Sequence, residues 1–300
     1  MNSIKKIIKL FLSITIVLND LLRILIYSKF FLEKREGFKK TSCLILGNGP
    51  SLLQSINDII ELSKSCDTVC VNSFILQELM LEIKPTVYVL ADPVYFKQTS
   101  IDRIENLKKN ILYKLNNTIT WKMTLYVPYY AKHSDFIKDI NNEYFKIIYY
   151  NPTTLKTKFT KFKYFFYNIG LAIPRTQTVL NAALYIAINQ KYKRIFLAGA
   201  DADWHTNLYI DQKTNELSYI DTHFYGKKQL KLWSDLEETI PSRLHIQLAS
   251  CATAFESYWE LRYYSEYIGL EIFNLSNNSW IDAFLRATPS EAIKYIKAIS

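Results

Sequence analysis

The 300-residue sequence predicts an α/β protein: a mostly parallel sheet with helices on both faces, preceded by a separate amphipathic helix. Three observations predict it. From residue 43 onward, apolar runs of strand length alternate with segments whose apolar residues recur at helical spacing, the pattern of repeated strand–helix units. The first of these runs breaks at Gly47-Asn48-Gly49-Pro50 and continues into a helical pattern, which makes a strand, a tight turn and a helix start. Four predicted strands end on a polar residue, Asn48, Asn72, Asp92 and Asp201. In such sheets ligands bind beyond the carboxyl ends of the strands, so the joint placement of these four residues marks a candidate site.

The chain opens with a unit of its own over residues 1–40. Residues 4–32 are rich in Ile, Leu and Phe, yet the longest uncharged run, between Lys9 and Asp20, is ten residues, and a spanning helix needs roughly 20. At 100° per residue, Lys5, Lys6, Lys9, Ser13, Asn19, Asp20 and Arg23 share one arc with Leu12 and Ile16, and the rest of the wheel is mostly apolar. This describes an amphipathic helix, suited to an anionic membrane surface through residues 1–36 or to packing on the domain. Its place ahead of the first strand and of the charged linker at 33–37 favours the membrane surface. No small-residue cleavage site follows, which argues against a cleaved signal peptide.

The second unit is residues 41–300. Strands are predicted at 43–46, 67–71, 86–90, 123–127, 146–150, 194–197 and 271–274. Helices are predicted from 51 to near 65, at 73–83, 176–189, 230–240 and 242–267, and at 290–299 behind Pro289, a natural helix start. Residues around 203–228 read as an excursion above the sheet edge, placed like a lid.

Composition narrows the partners. The net charge is +9, but nine Lys and Arg against three acidic residues in the first 40 positions account for +6 of it. A basic nucleic-acid face on the main domain is therefore not expected, and no zinc-finger or RNP motif occurs. The four cysteines form no CxxC pair, and a reducing cytoplasm is expected.

Glycine is scarce, with seven in the chain, so the pair in the 47–50 turn stands out. Glycine admits close backbone approach, and Pro50 suits a first helical turn. Free N–H groups at such a start bind phosphates. The turn either cradles a nucleotide phosphate or simply joins strand to helix. It is neither a P-loop nor the dinucleotide glycine fingerprint. The second rich stretch is Ala198-Gly199-Ala200-Asp201-Ala202-Asp203-Trp204-His205, followed by Tyr209 and by Asp221-Thr222-His223. A histidine exchanges a proton near neutral pH and suits a general base; His223 is preferred and His205 competes with it. His133 and His245 read as structural. A Ser51–His223–Asp201 triad lacks the Gly-x-Ser-x-Gly elbow and is set aside.

Several blocks, Leu44-Ile45-Leu46-Gly47-Asn48-Gly49-Pro50-Ser51-Leu52, Val71-Asn72-Ser73-Phe74, Pro174-Arg175-Thr176-Gln177-Thr178, Ile195 to Asp201 and Asn278-Ser279-Trp280-Ile281-Asp282, occur in an order that resembles a known group. Over about residues 43–286 the chain is similar to the bacterial sialyltransferases of glycosyltransferase family 42 and to the related MptE-like and flagellin-glycosylating (motility accessory factor) proteins. The resemblance implies a Rossmann-like, GT-A-like variant of the fold. It also implies inverting transfer, without a metal, of a nonulosonic acid such as sialic acid from a CMP donor to a hydroxyl of a cell-surface glycan or lipid-linked sugar. Carried over, Asn48 and Ser51 would contact the CMP phosphate and ribose, and Asn72 the nucleotide. Arg175 matches the family arginine, Thr178 a nucleotide-contacting hydroxyl, Tyr209 a tyrosine on the leaving phosphate, and His223 the base. Gly47, Gly49, Ser73, Asp92, Gly199, Asp201 and Ser279 complete the expected nucleotide-binding set. Two positions depart from the pattern: Asp203 stands where a further tyrosine is expected, and Asp92 where an asparagine is usual. The expected location is the cytoplasmic face of a bacterial inner membrane, held peripherally.

Three other readings remain open. Asp201-Ala202-Asp203 has the Asp-x-Asp form by which transferases of UDP- or GDP-sugars hold a hard cation, here Mg or Mn. The MptE-like resemblance also carries a pyrophosphokinase acting from ATP on a pterin alcohol. A nucleotide-binding scaffold without catalysis is the third.

Overall fold

The computed structural model describes residues 2–30, 32–33, 40–223, 226–235 and 237–298; the side chains of residues 2–4 and 221–230 are outside that description. The linker residues 34–39 thus lie outside it, as does the side chain of His223.

Helix α1 (Asn2–Tyr27) leads to β1 (Ser42–Leu46), α2 (Ile56–Ser63), β2 (Asp67–Val71), α3 (Leu79–Ile83) and β3 (Val87–Val89). Then come α4 (Asp102–Thr118), β4 (Met123–Pro128), α5 (Asp135–Lys138), β5 (Phe145–Tyr150), α6 (Thr160–Asn168), α7 (Val179–Asn189) and β6 (Arg194–Ala198). Three strands, β7 (Leu208–Ile210), β8 (Leu217–His223) and β9 (Gly226–Lys231), precede α8 (Leu244–Tyr267), β10 (Glu271–Asn274), β11 (Leu285–Arg286) and α9 (Pro289–Lys297).

Eight strands form one sheet in the order β11-β10-β6-β1-β2-β3-β4-β5, parallel at every pairing. This is the Rossmann-like α/β arrangement the sequence predicts. Strand alternation sends successive side chains to opposite faces. Cys43 and Ile45 join α6, α7 and α8 in one core layer, while Leu44 and Leu46 join α2, α3, α4 and α9 in the other. From β1 the chain builds outward through β2 to β5, then returns to lay β6 on the other side of β1. That reversal is the topological switch point, where the strand tips splay and leave a crevice.

Several predicted elements are corrected. The helix expected from 51 begins as a six-residue 3-10 turn, Pro50–Ser55, before α2. The helix expected at 73–83 splits into a 3-10 turn and α3, because Gln77 is extended and Tyr88 ties the turn by accepting from Ile75 N–H (3.1 Å) and donating to the Asn72 carbonyl. Among the described residues of 230–240 no helix forms: β9 runs to Lys231, and the Asp235 carboxylate accepts the N–H groups of Thr239 (3.1 Å) and Ile240 (2.7 Å), turn bonding that competes with a helix. The lid-like segment folds as a 3-10 turn followed by the antiparallel sheet β7-β8-β9. Helix α4 escaped the sequence reading, although its buried Ile104, Ile111 and Leu115 stand at helical spacing, because Lys and Asn dominate its other faces.

The tips of β1 and β6 are pressed together. A Cβ on Gly47 would lie 2.3 Å from the carbonyl oxygen of Gly199, and Gly199 itself sits at φ +63. Gly269, at φ +78, has nothing within 4 Å of its Cβ position. Gly47→Ala is expected to cost about 3 kcal/mol, since backbone must move. Gly269→Ala should cost about 1–2 kcal/mol from left-handed strain alone. Urea unfolding of the two variants measures the difference.

Candidate functional site

The two strand tips are laced together by hydrogen bonds. Gly47 N–H donates to the Ala198 carbonyl (2.8 Å) and Gly49 N–H to the Gly199 carbonyl (2.9 Å). Ser51 gives both its donors to Asp201: its N–H reaches one carboxylate oxygen at 2.9 Å and its hydroxyl reaches the other. Leu52 N–H turns back to the Gly49 carbonyl at 3.2 Å. The amides of the expected phosphate cradle are therefore engaged within the protein at positions 47, 49, 51 and 52, and Pro50 has none. The glycines serve close packing against the β6 tip, with a Cβ on Gly49 falling 2.7 Å from the Asp201 side chain.

The far side of the β6 tip is held in the same way. Ala200 N–H donates to the Ser276 hydroxyl (2.8 Å), Ser279 donates to the Ala200 carbonyl (2.5 Å), and Trp280 N–H donates to the Asp201 carbonyl (2.8 Å). Ser51, Asp201 and Ser279, expected on the nucleotide, hold this loop in place through these bonds. Ala202, at φ +55, is left-handed without being glycine, a strain that persists because its neighbours are fixed.

Above these tips lies a cleft of about 580 Å³. Its floor is Gly47 to Pro50 and Gly199 to Trp204; Asn72 and Asp92 flank one side and Thr176 to Leu180 the other. Tyr219 of β8 and Gln247, Ser250, Cys251 and Ala254 of α8 complete the wall. The structure thus brings together Gly47, Asn48, Gly49, Asn72, Asp92, Thr178, Gly199, Asp201 and Asp203 among the predicted residues.

Each of these has a local reason for its place. Asn48 donates to the Val71 carbonyl at 3.3 Å, and its side-chain oxygen is buried without a partner. Asn72 sits at φ +44, a conformation asparagine tolerates, and accepts from Ala91 N–H at 3.4 Å. Asp92 caps its own turn through Val94 N–H at 3.0 Å. Thr178 caps α7 in a reciprocal box with Asn181 and pairs with the Tyr258 hydroxyl at 3.1 Å. The cap aims the start of α7 into the cleft, where the N–H groups of Val179 and Leu180 have no carbonyl further back in the helix to bind.

Other predicted residues stand outside the cleft lining. Arg175 is exposed, Tyr209 is half-buried on β7, and Ser73 belongs to the 3-10 turn after β2. His205 packs edge-on against Trp280 at 4.5 Å, with Nδ1 buried and unpartnered, outside the lining. The Asp-x-Asp pair is also changed, since both Asp201 oxygens accept from Ser51 and only Asp203 keeps a side chain without such a clamp. Among the described residues, no three His, Cys, Asp or Glu side chains group as a metal cluster.

The α8 contribution was missed. Gln247, Ser250, Cys251 and Ala254 stand at helical spacing on one face, a stripe of small and polar residues that was the available signal. Gln177 donates to Ser250 at 2.6 Å and joins the two walls. Burial raises the Cys251 thiol, which keeps it protonated.

Electrostatically the lining holds Asp92, Asp201 and Asp203 and, among the described residues, no Lys, Arg or His. The α7 N-terminus supplies the compensating positive end of a dipole. Burial pushes the Asp201 carboxyl above its ordinary value, with Asp203 adding to the rise and the two Ser51 hydrogen bonds opposing it. Folding therefore favours protonated Asp201, so this contribution to stability is full below the ordinary aspartate pKa and is lost as pH rises through the raised one. Ser51→Ala should cost about 1–3 kcal/mol and deepen that loss, because one opposing bond is gone. Melting temperatures of both proteins across mildly acidic pH test this.

Residues 24–207, more than half of the chain, match the family described as 6-hydroxymethylpterin diphosphokinase MptE-like. No curated protein matches the chain. Among solved structures, the MAf glycosyltransferase from Magnetospirillum magneticum AMB-1 is similar at a TM-score of 0.50 and 13% identity, over 92% of this chain. The chain spans 40% of that structure's length. At this identity the likeness concerns the fold alone, a Rossmann-like α/β arrangement. The match falls on the β1 turn, the β2 and β3 tips and the β6 loop that build the cleft, and by it the chain belongs to the MptE-like family.

Proposed function

We propose that the chain is a glycosyltransferase whose donor, a nucleotide-activated sugar, occupies the cleft at the β1/β6 switch point. The observation that carries this reading is the cleft itself: it lies where such sheets bind nucleotides, and hydroxyl and carboxamide groups line it beside a helix N-terminus. The open first turn of α7 suits one phosphate better than the occupied amides of the β1 turn do. The solved relative, a glycosyltransferase, supports this reading, whereas the family description names a diphosphokinase and supports the second one below.

The preferred donor is a CMP-linked nonulosonic acid, and the acceptor a hydroxyl of a cell-surface glycan. In the transfer, the bond from the anomeric carbon to the phosphate breaks, CMP leaves, and the acceptor oxygen bonds to that carbon as it gives its proton to a base. His223 is the proposed base; it lies four residues along β8 from Tyr219, which lines the cleft.

The acidic lining favours a second reading. A diphosphate donor beside Asp92 and Asp203, without a basic side chain among the described lining residues, would need a divalent ion to offset its charge. This covers a UDP- or GDP-sugar transferase and a diphosphokinase alike.

Thermal shift with CMP, UDP, GDP and ATP, each with and without Mg²⁺, separates them. CMP at about a hundredfold excess over its Kd should stabilise the protein by about 2.7 kcal/mol without Mg²⁺. Stabilisation by UDP, GDP or ATP alone, and only with Mg²⁺, would transfer the assignment to the second reading. On a confirmed donor, His223→Ala should lower kcat by about 10²–10⁴-fold, and near-normal turnover would remove His223 from the base role.

A further inference from the structure

Helix α1 grips the domain with its polar arc and turns its apolar side away. The buried Asp20 carboxylate accepts the N–H groups of Lys156 (2.9 and 3.0 Å) and Thr157 (2.7 Å). Arg23 donates to the Thr154 carbonyl at 3.2 Å, and Ser28 donates to the Leu171 carbonyl at 2.6 Å. The Asn151 amide reaches the carbonyls of Lys29 (2.9 Å) and Gly170 (2.8 Å). Opposite Asp20 on the wheel, Ile7, Phe11, Ile14, Leu18, Leu22 and Leu25 form one stripe, each 49–69% exposed. Soluble surfaces rarely carry a continuous apolar patch of this length.

The gripped segment continues the pattern. Lys156, Lys158 and Lys161 are exposed beside Phe159 and Phe165, basic and aromatic residues interleaved directly where α1 docks. With Lys5, Lys6 and Lys9 on the helix, they supply positive charge next to apolar surface.

We propose that α1 and residues 156–165 form one surface that seats the protein on a single leaflet of an anionic bilayer, with the Asp20 clamp fixing the orientation of the domain. Residues Lys5–Tyr27 are long and apolar enough to cross a membrane, but crossing would draw Asp20 and Arg23 into hydrocarbon and break the clamp. An in-plane helix keeps the clamp, sinks the stripe among the acyl chains and leaves the lysines at the headgroups. Pairing with a second copy would cover the stripe and leave the lysines at 156–161 without a counter-charge. The Asp20 clamp grips the chain between β5 and α6, and Ser28 reaches Leu171 between α6 and the Thr176–Leu180 wall, so the anchor and the cleft share the carboxyl edge of the sheet. On the transferase reading, that edge suits a lipid-borne acceptor; the seating does not depend on that reading.

The test is sedimentation of the full chain with phosphatidylcholine vesicles, with and without phosphatidylglycerol, which needs no donor or acceptor. The wild type should pellet with the anionic vesicles. Phe11→Glu with Leu18→Glu should abolish pelleting at unchanged circular dichroism, while Lys158→Glu with Lys161→Glu should weaken anionic binding by about tenfold or more. Ser3→Cys, in protein added outside sealed vesicles, should stay open to an impermeant maleimide, read by mass spectrometry of the N-terminal peptide. Protection of that cysteine would show a crossing helix and overturn the proposal. So would a wild type left in the supernatant, or a soluble dimer that Leu18→Glu dissociates.

Discussion

The structure depends on the joint between the tips of β1 and β6. Two glycines let the backbones touch, and Ser51, beyond β1, and Asp201, beyond β6, then lock the two loops to each other. Because β1 and β6 flank the switch point, this joint is the floor of the cleft. Without it the loops would have no reason to hold Ala202 left-handed or to bring Asp203 to the lining. The cost is that the amides of the β1 turn are occupied by protein, so a ligand in the cleft would meet the surrounding walls.

Those walls come from distant parts of the chain. The β2 and β3 tips supply carboxamide and carboxylate, the α7 cap supplies a helix N-terminus, and α8 supplies small polar residues that leave room. Such a site is polar but short of positive side chains among the described residues. Its affinity for an anion would rest on dipoles and amides, which are stronger in a low-dielectric recess than in water. A hydroxyl-rich ligand with a single phosphate would fit that better than a polyphosphate without a cation.

The same economy of polar groups governs α1. A buried carboxylate is tolerated because three hydrogen bonds from two backbone amides satisfy it. Using the polar arc for docking leaves the apolar arc to the outside. The loop that receives Asp20 leads into α6, and the chain beyond α6 continues to the cleft wall at Thr176–Leu180.

Much of the fold was legible because hydrophobic period is a local property: the parallel sheet, the strand ends at Asn48, Asn72, Asp92 and Asp201, and the final helix behind Pro289 follow from spacing and turn chemistry. What each polar residue touches was not legible, since that depends on which tips the crossover brings together. Residue type marked Ser51, Asp201 and Ser279 as capable of hydrogen bonding, and only the packing of β6 beside β1 decided that they bond to protein. Helical spacing likewise placed Asp20 and the lysines on one arc of α1, but the docking of that arc on residues 153–157 was decided by a partner more than a hundred positions away, beyond the reach of any local pattern.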